Sequence, residues 1–152
     1  MAAAVSLSFS HVGICVSDLE RSLRFYCEGL GFELVDSFTV GSEFGRLMEV
    51  AGEIVLQSRF ITRDGVRLEL LRFDSPGFEG PARRRLMNQL GLTHLSMRVA
   101  DVDSAAARIQ ELGGHVLQHT RSKFNNPDGS SSDFVYCTDP DGVRIELMRL
   151  PG

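Results

Sequence analysis

Two histidines and two glutamates stand at matching places in two similar stretches of this chain: His11 and Glu69 in the first, His94 and Glu146 in the second. Two imidazoles and two carboxylates are a donor set for a divalent metal of borderline character. Four protein donors with room left for water favour an octahedral ion such as Ni²⁺, Co²⁺ or Mn²⁺, or six-coordinate Zn²⁺. A lone His or Glu on a strand is ordinarily a solvated side chain, and that reading stands for each of the four taken singly. Their recurrence in register, one of each type per stretch, is the argument for a shared ligand.

The recurrence is explicit in the text of the chain. "DGVRLELLRF" (Asp64–Phe73) and "DGVRIELMRL" (Asp141–Leu150) agree at seven of ten positions, at a shift of 77. Upstream, "HVGICVSDLERSLRFYCEGLGFELV" from His11 and "HLSMRVADVDSAAARIQELGGHVLQ" from His94 align at a shift of 83. His pairs with His, Asp18 with Asp101, Glu28 with Glu111 and Gly31 with Gly114. Two segments repeated in the same order define an internal duplication. Its halves are Ser8–Phe73 and Leu92–Leu150, joined by the linker 74–91, "DSPGFEGPARRRLMNQLG".

Each half reads as βαβββ. "HVGICV" and "HLSMRV" alternate apolar and other residues, as half-buried strands do. Asp18 and Asp101 are N-cap candidates for helices over Leu19–Glu28 and Val102–Leu112. Gly29, Gly31, Gly113 and Gly114 are stop signals. The strands that follow are expected at Phe32–Thr39, Gly45–Val50 with Glu53–Ile61, and Val66–Phe73. In the second half they fall at His115–His119, Ser132–Thr138 and Val143–Arg149. "TRDG" and "DPDG" supply turn chemistry before each last strand, and the linker is expected to hold a short helix over Pro81–Leu90. The fold class is therefore α+β, two tandem βαβββ modules forming a curved mixed sheet in a single domain over 1–152.

Strand parity then positions the four donors. Side chains alternate along a strand, so Val66, Leu68 and Leu70 oppose Arg67, Glu69 and Leu71, while Val143, Ile145 and Leu147 oppose Arg144, Glu146 and Met148. His11 and His94 likewise lie opposite Val12 and Leu95. If the first and last strands of a module are neighbours, His and Glu share its non-core face. Arg67, Arg98 and Arg144 share that parity; they suit a substrate anion or charge balance for the glutamates. Cys15 also shares it, about 13 Å along the strand from His11, and is expected to be a small buried hydrophobe. His115 and His119 have ligand spacing only on a helix; on a strand they are surface residues. Glu49 reads as an exposed side chain of an expected strand. "NNPDGSSSD" (Asn125–Asp133) reads as a polar loop, either at the mouth of a site or an ordinary hairpin connection.

Composition narrows the function classes. With 16 basic against 20 acidic residues the net charge is −4, which gives no electrostatic footprint for nucleic acid or an anionic membrane. Arg83-Arg84-Arg85 reads as a solvated face. No apolar run reaches the roughly 18 residues of a membrane span, and "MAAAVSLSF" lacks the basic start of a signal peptide. Three cysteines without a Cys-x-x-Cys argue for a reducing cytoplasm rather than a disulfide framework.

The duplication, "FSHVGICVSDLERSLRFYCEGLGFELV" and the closing "TDPDGVRIELM" together resemble the vicinal oxygen chelate superfamily of glyoxalases, bleomycin-resistance proteins and type I extradiol dioxygenases. The resemblance covers Phe9–Leu150. In its glyoxalase I (lactoylglutathione lyase) branch the metal ligands run His, Glu, His, Glu, which maps onto His11, Glu69, His94 and Glu146. Methylmalonyl-CoA epimerase is similar, but its "LHH" before the third ligand is "LTH" here. Glu at 69 speaks against the extradiol His-His-Glu triad, and metal-free binding members lack the four donors. The resemblance implies a divalent metal (Ni, Co, Zn or Mn) and a lyase or isomerase that moves a proton beside a carbonyl through an enediolate. Glu146 is the first and Glu69 the second candidate for carrying that proton. The implied substrate is a thiol adduct or thioester, and the implied assembly a homodimer whose cleft is built within one chain or across two. A metal-free small-molecule binder or resistance protein is the competing class.

Overall fold

In the computed structural model, which describes residues 6–152, each half folds as a four-stranded mixed sheet. The first consists of β1 (Val12–Cys15), β2 (Glu33–Gly41), β3 (Val55–Arg63) and β4 (Val66–Ser75), in the order β1-β4-β3-β2. The second repeats it with β5 (Leu95–Arg98), β6 (His115–Asn125), β7 (Ser131–Thr138) and β8 (Arg144–Arg149), in the order β5-β8-β7-β6. In both, the first strand runs parallel to the last, and the remaining pairs are antiparallel. The βαβββ expectation holds in each half.

Contacts divide the chain into two compact units. One takes the residues up to Cys15 and Phe32–Phe78, and so contains the first sheet. Its core is the buried face of that sheet: Ile14, Leu56, Ile61, Leu68 and Leu70. The other takes Val16–Gly31 and Glu79–Gly152. It holds the second sheet, α1 (Leu19–Leu23) with its π-helical continuation over Arg24–Gly29, and the longer helix Val102–Glu111. Phe25, Tyr26, Val102, Ile109, Val135, Ile145 and Leu147 are buried there. Each such apolar side chain contributes roughly 1.5–3 kcal/mol by leaving water.

Both N-caps form as expected. Asp18 accepts from the Arg21 amide at 2.9 Å and Asp101 from the Ser104 amide at 2.7 Å, satisfying donors that the first helical turn leaves without partners. Asp64-Gly65 makes a two-residue hairpin turn with positive φ at both positions, 49° and 78°, whose twist matches the flanking strands. The matching "DPDG" turn is wound around buried Asp139. Its carboxylate accepts from the amides of Asp141 and Val143 at 2.9 and 2.8 Å and from the Tyr26 hydroxyl at 2.9 Å. Burial nonetheless pushes the Asp139 carboxyl up, ahead of the lowering effect of those donors. Gly142 sits against the Arg83 and Arg84 backbone, where a Cβ would approach within 2.5 Å.

Two expected elements are different. Gly45–Val50 is not a strand: Ser42–Phe44 is a 3₁₀ turn leading into a one-turn helix, α2 (Gly45–Met48). This stretch lacks period-two alternation, and Leu47 is exposed. Glu49 closes the turn at φ 53°, exposed and off any strand. The longer helix named above is thus α3. Nor is Pro81–Leu90 helical; it is a chain of bends and turns. Leu86 and Leu90 give it no buried stripe, being 66% and 97% exposed. The Arg85 carbonyl is instead taken by the Arg144 guanidinium at 2.7 Å. Among the described residues no helix is long and apolar enough to cross a membrane.

Candidate metal centre

The parallel pairing of first and last strands brings each His to its Glu. On the first sheet, Val12 pairs with Leu68 and Gly13 with Glu69. His11 therefore reaches Glu69 diagonally, and its Nε2 lies 3.1 Å from a carboxylate oxygen. On the second sheet, Leu95 pairs with Ile145 and Ser96 with Glu146, and His94 Nε2 lies 3.7 Å from Glu146. All four side chains are between one-sixth and one-third exposed. They are accessible without being loose on the surface.

The neighbours that hold these pairs are repeated too. Each His presents Nε2 to its Glu because Nδ1 is occupied by the hydroxyl of the preceding residue: Ser10 at 2.8 Å, Thr93 at 2.9 Å. Such a partner fixes ring orientation and leaves the other nitrogen for a ligand. Each imidazole also stands edge-on to an aromatic ring of the adjacent strand, Phe60 at 5.0 Å and Tyr136 at 5.4 Å between centroids. Those rings are equivalent by register, since Phe60 pairs with Glu69 and Tyr136 with Glu146. An Arg lies over each: Arg67 at 4.3 Å from the Phe60 centroid, Arg144 at 5.6 Å from that of Tyr136.

Each Glu receives a serine hydroxyl, from opposite sides. Ser58 on β3 donates to Glu69 at 2.6 Å, and Ser96 on β5 donates to Glu146 at 2.7 Å. At the alternative positions the first module has Gly13 and the second Phe134, which pairs with Met148 as Ser58 pairs with Leu71. Burial pushes the Tyr136 phenol up, and the Glu146 charge adds to that. Beside Glu146 lies a cavity of about 280 Å³, walled by Phe124, Phe134 and Tyr136 with Thr120 and Ser122 at its side.

Each pair offers one oriented imidazole nitrogen and one carboxylate, donor chemistry that fits a divalent ion. Among the described residues, no group of three or more His, Cys, Asp or Glu side chains forms a metal-binding cluster. The other expected residues fall outside the pairs. Arg67 pairs with Asp36 and Arg144 is buried against the Thr93 and Arg85 carbonyls; neither balances a glutamate. Arg98, His115 and His119 are exposed. Cys15 is exposed rather than buried. "NNPDGSSSD" is an ordinary connection: β6 and β7 extend into it and leave a turn closed by Asn126 amide to Ser130 carbonyl at 2.8 Å. Ser10, Thr93, Ser58, Ser96, Phe60 and Tyr136 carried no motif. The hydroxyl ahead of both histidines, "SH" and "TH", was a signal available in the repeat.

A family profile for the Glyoxalase/Bleomycin resistance protein/Dioxygenase superfamily matches residues 8–147, and the chain belongs to that superfamily. Within it, the chain is 28% identical over 153 residues to the 2-epi-5-epi-valiolone epimerase of an Actinomyces species, covering 96% of this chain and 81% of that protein. It is 27% identical to a probable lactoylglutathione lyase of Synechocystis, covering 91% and 92%. A glyoxalase family protein of known structure from Bacillus cereus superposes over 100% of this chain and 99% of its own, with a TM-score of 0.80 and 26% identity.

Proposed function

We propose that this protein is a metal-dependent lyase of the glyoxalase I type, converting the hemithioacetal of a 2-oxoaldehyde and a thiol into a 2-hydroxyacyl thioester. The observation that carries the reading is the repeated pair: in each module a hydroxyl-oriented imidazole turns Nε2 onto a carboxylate. His11, Glu69, His94 and Glu146 would hold one divalent ion, Ni²⁺, Co²⁺, Zn²⁺ or Mn²⁺. When bound, such an ion acts as a Lewis acid that stabilises negative charge developing on the substrate oxygens. Glu146 is the general base. It takes the proton from the thiol-bearing carbon, the electron pair left behind shifts toward the neighbouring carbonyl, the hydroxyl proton of the first carbon passes to the oxygen of the second, and Glu146 returns the carbon-bound proton to that second carbon, leaving the thioester carbonyl at the first. No atom is gained or lost, so the step needs no further reagent. Ser96 holds one Glu146 oxygen.

A second reading shares this chemistry. If Glu146 and Glu69 work on opposite faces of one carbon, the outcome is epimerisation, and the 28% relative named an epimerase supports it. The same proposal includes assembly as a homodimer, which light scattering would read.

The test begins with metal content. The purified protein should carry about one divalent ion per chain, and both His11→Ala and His94→Ala should lose it. Loss from only one would show that the pairs act separately. No stoichiometric metal in the unaltered protein would return the chain to the metal-free binding class. Assays with methylglyoxal plus candidate thiols, and with acyl-CoA epimers, then separate lyase from epimerase.

A further inference from the structure

Beside the glutamates the two modules differ where Ser58 is replaced, at the same register, by Phe134. The exchange is chemically complete, because the hydroxyl that Glu146 would lose is supplied from the other side by Ser96, where the first module has Gly13. Moving the donor across the glutamate releases position 134 from polar duty. Phe134 then packs at 5.9 Å and 69° against Phe124, a ring left 58% exposed on β6, and the two form an aromatic wall of the cavity whose lining includes Glu146. An apolar wall beside a carboxylate is what a ligand pocket combines: surface for bulk and a polar group for orientation. At about 280 Å³ it exceeds the roughly 150 Å³ that suffices to enclose a benzene ring.

We propose that this cavity receives the substituent beside the reacting carbon of the substrate, and that Phe134 and Phe124 make the protein prefer an aromatic or bulky apolar substituent to a methyl group. The proposal deepens the proton-transfer reading and rests on it for the identity of the reacting carbon. The specificity belongs to the second module.

The experiment compares two 2-hydroxy acids that differ only in this substituent, mandelate (phenyl) and lactate (methyl). Dissociation constants are measured by NMR titration of the metal-loaded protein and of the protein as purified. Mandelate should bind about tenfold or more tightly than lactate, the order of selectivity an apolar pocket gives. In Phe134→Ser, which installs the first module's residue, the preference should fall to about twofold, with metal content unchanged. Phe124→Ala, at an exposed position, should reduce it as well and covers the case in which Phe134→Ser does not fold. Equal binding of the two acids, failure of both to bind, or a preference that survives both substitutions overturns the proposal. Metal content separates the two readings. A phenyl preference without stoichiometric metal leaves the pocket and removes the lyase; metal without the preference does the reverse.

Discussion

The first module binds its glutamate from the inner strand and the second from the outer one, and that difference shows what the duplication holds fixed. Hydroxyl before His, aromatic ring beside His, Arg over the ring and serine on Glu all occur twice. What varies is which strand supplies the serine, and whether the ring is Phe60 or Tyr136. The His–Glu pair and its neighbours are common to both copies; a cavity lies beside Glu146.

The sharpest break in this comparison is loss of metal. His11→Ala and His94→Ala each remove one nitrogen donor and leave a carboxylate without its partner. Each should weaken metal affinity by about a thousandfold or more, read by competition with a chromophoric chelator. That exceeds the 10–100-fold typical of an orienting neighbour. A large difference between the two would mean the modules do not share one ion.

Next comes the inequality of the glutamates. At saturating metal, Glu146→Gln should lower turnover by about 10²–10⁴, the range for a general base, with KM little changed. Glu69→Gln should loosen the metal and lower turnover by much less at saturating metal. Equal loss of turnover would assign the proton to both carboxylates, as epimerisation on two faces requires.

The cores are expected to be equivalent where the sites are not. Leu68 and Ile145 are fully buried, on β4 and β8 at matching positions. Truncation of either to Ala should cost about 3 kcal/mol in urea unfolding. Ion pairs should separate the modules again. Arg121 holds Asp133 through two bonds of 2.6 Å and reaches Asp103 at 2.8 Å, with Asp133 only 7% exposed; Arg67–Asp36 is 39% and 45% exposed. Breaking the first with Asp133→Asn should cost about 2 kcal/mol, and Asp36→Asn under about 1 kcal/mol. Arg121 holds the Asp133 carboxyl below its usual range. Its stabilisation is therefore present above the ordinary carboxylate pKa of about 4 and is lost as pH falls through the lowered value. Asp133→Asn should flatten the acid limb of the stability–pH curve; an unchanged limb would contradict the assignment.

Repetition made much of this legible in the sequence. A strand's parity follows from its apolar residues, so once "VRLEL" and "VRIEL" were matched, Glu69 and Glu146 had to face away from Leu68 and Ile145. Asp18 and Asp101 announced their helices because a cap acts on amides only two or three residues away. The failures lie where local pattern is silent. In 81–90 the backbone is ordered by Arg144 from a strand more than 50 residues on, a contact no helical period encodes. Phe60 and Tyr136 were hidden because the connection before the last strand is one residue longer in the second copy: Glu69 lies nine positions after Phe60, Glu146 ten positions after Tyr136. Register across β3–β4 and β7–β8 restores the match.

The smallest effect concerns the hydroxyls ahead of the histidines, and it tests the comparison at its most conservative point. Ser10 and Thr93 differ by one methyl, yet each places an oxygen within 2.9 Å of Nδ1. If their function is to hold the ring so that Nε2 meets the carboxylate, only the oxygen matters. Ser10→Ala and Thr93→Val should each weaken metal binding about tenfold, the low end for an orienting partner, while Ser10→Thr and Thr93→Ser should leave it within about twofold. A structural role for the Thr93 methyl would reverse that order, making Thr93→Val harmless and Thr93→Ser costly. The metal titration that ranks these four variants thus separates orientation of the imidazole from packing around it, and does so without requiring a known substrate.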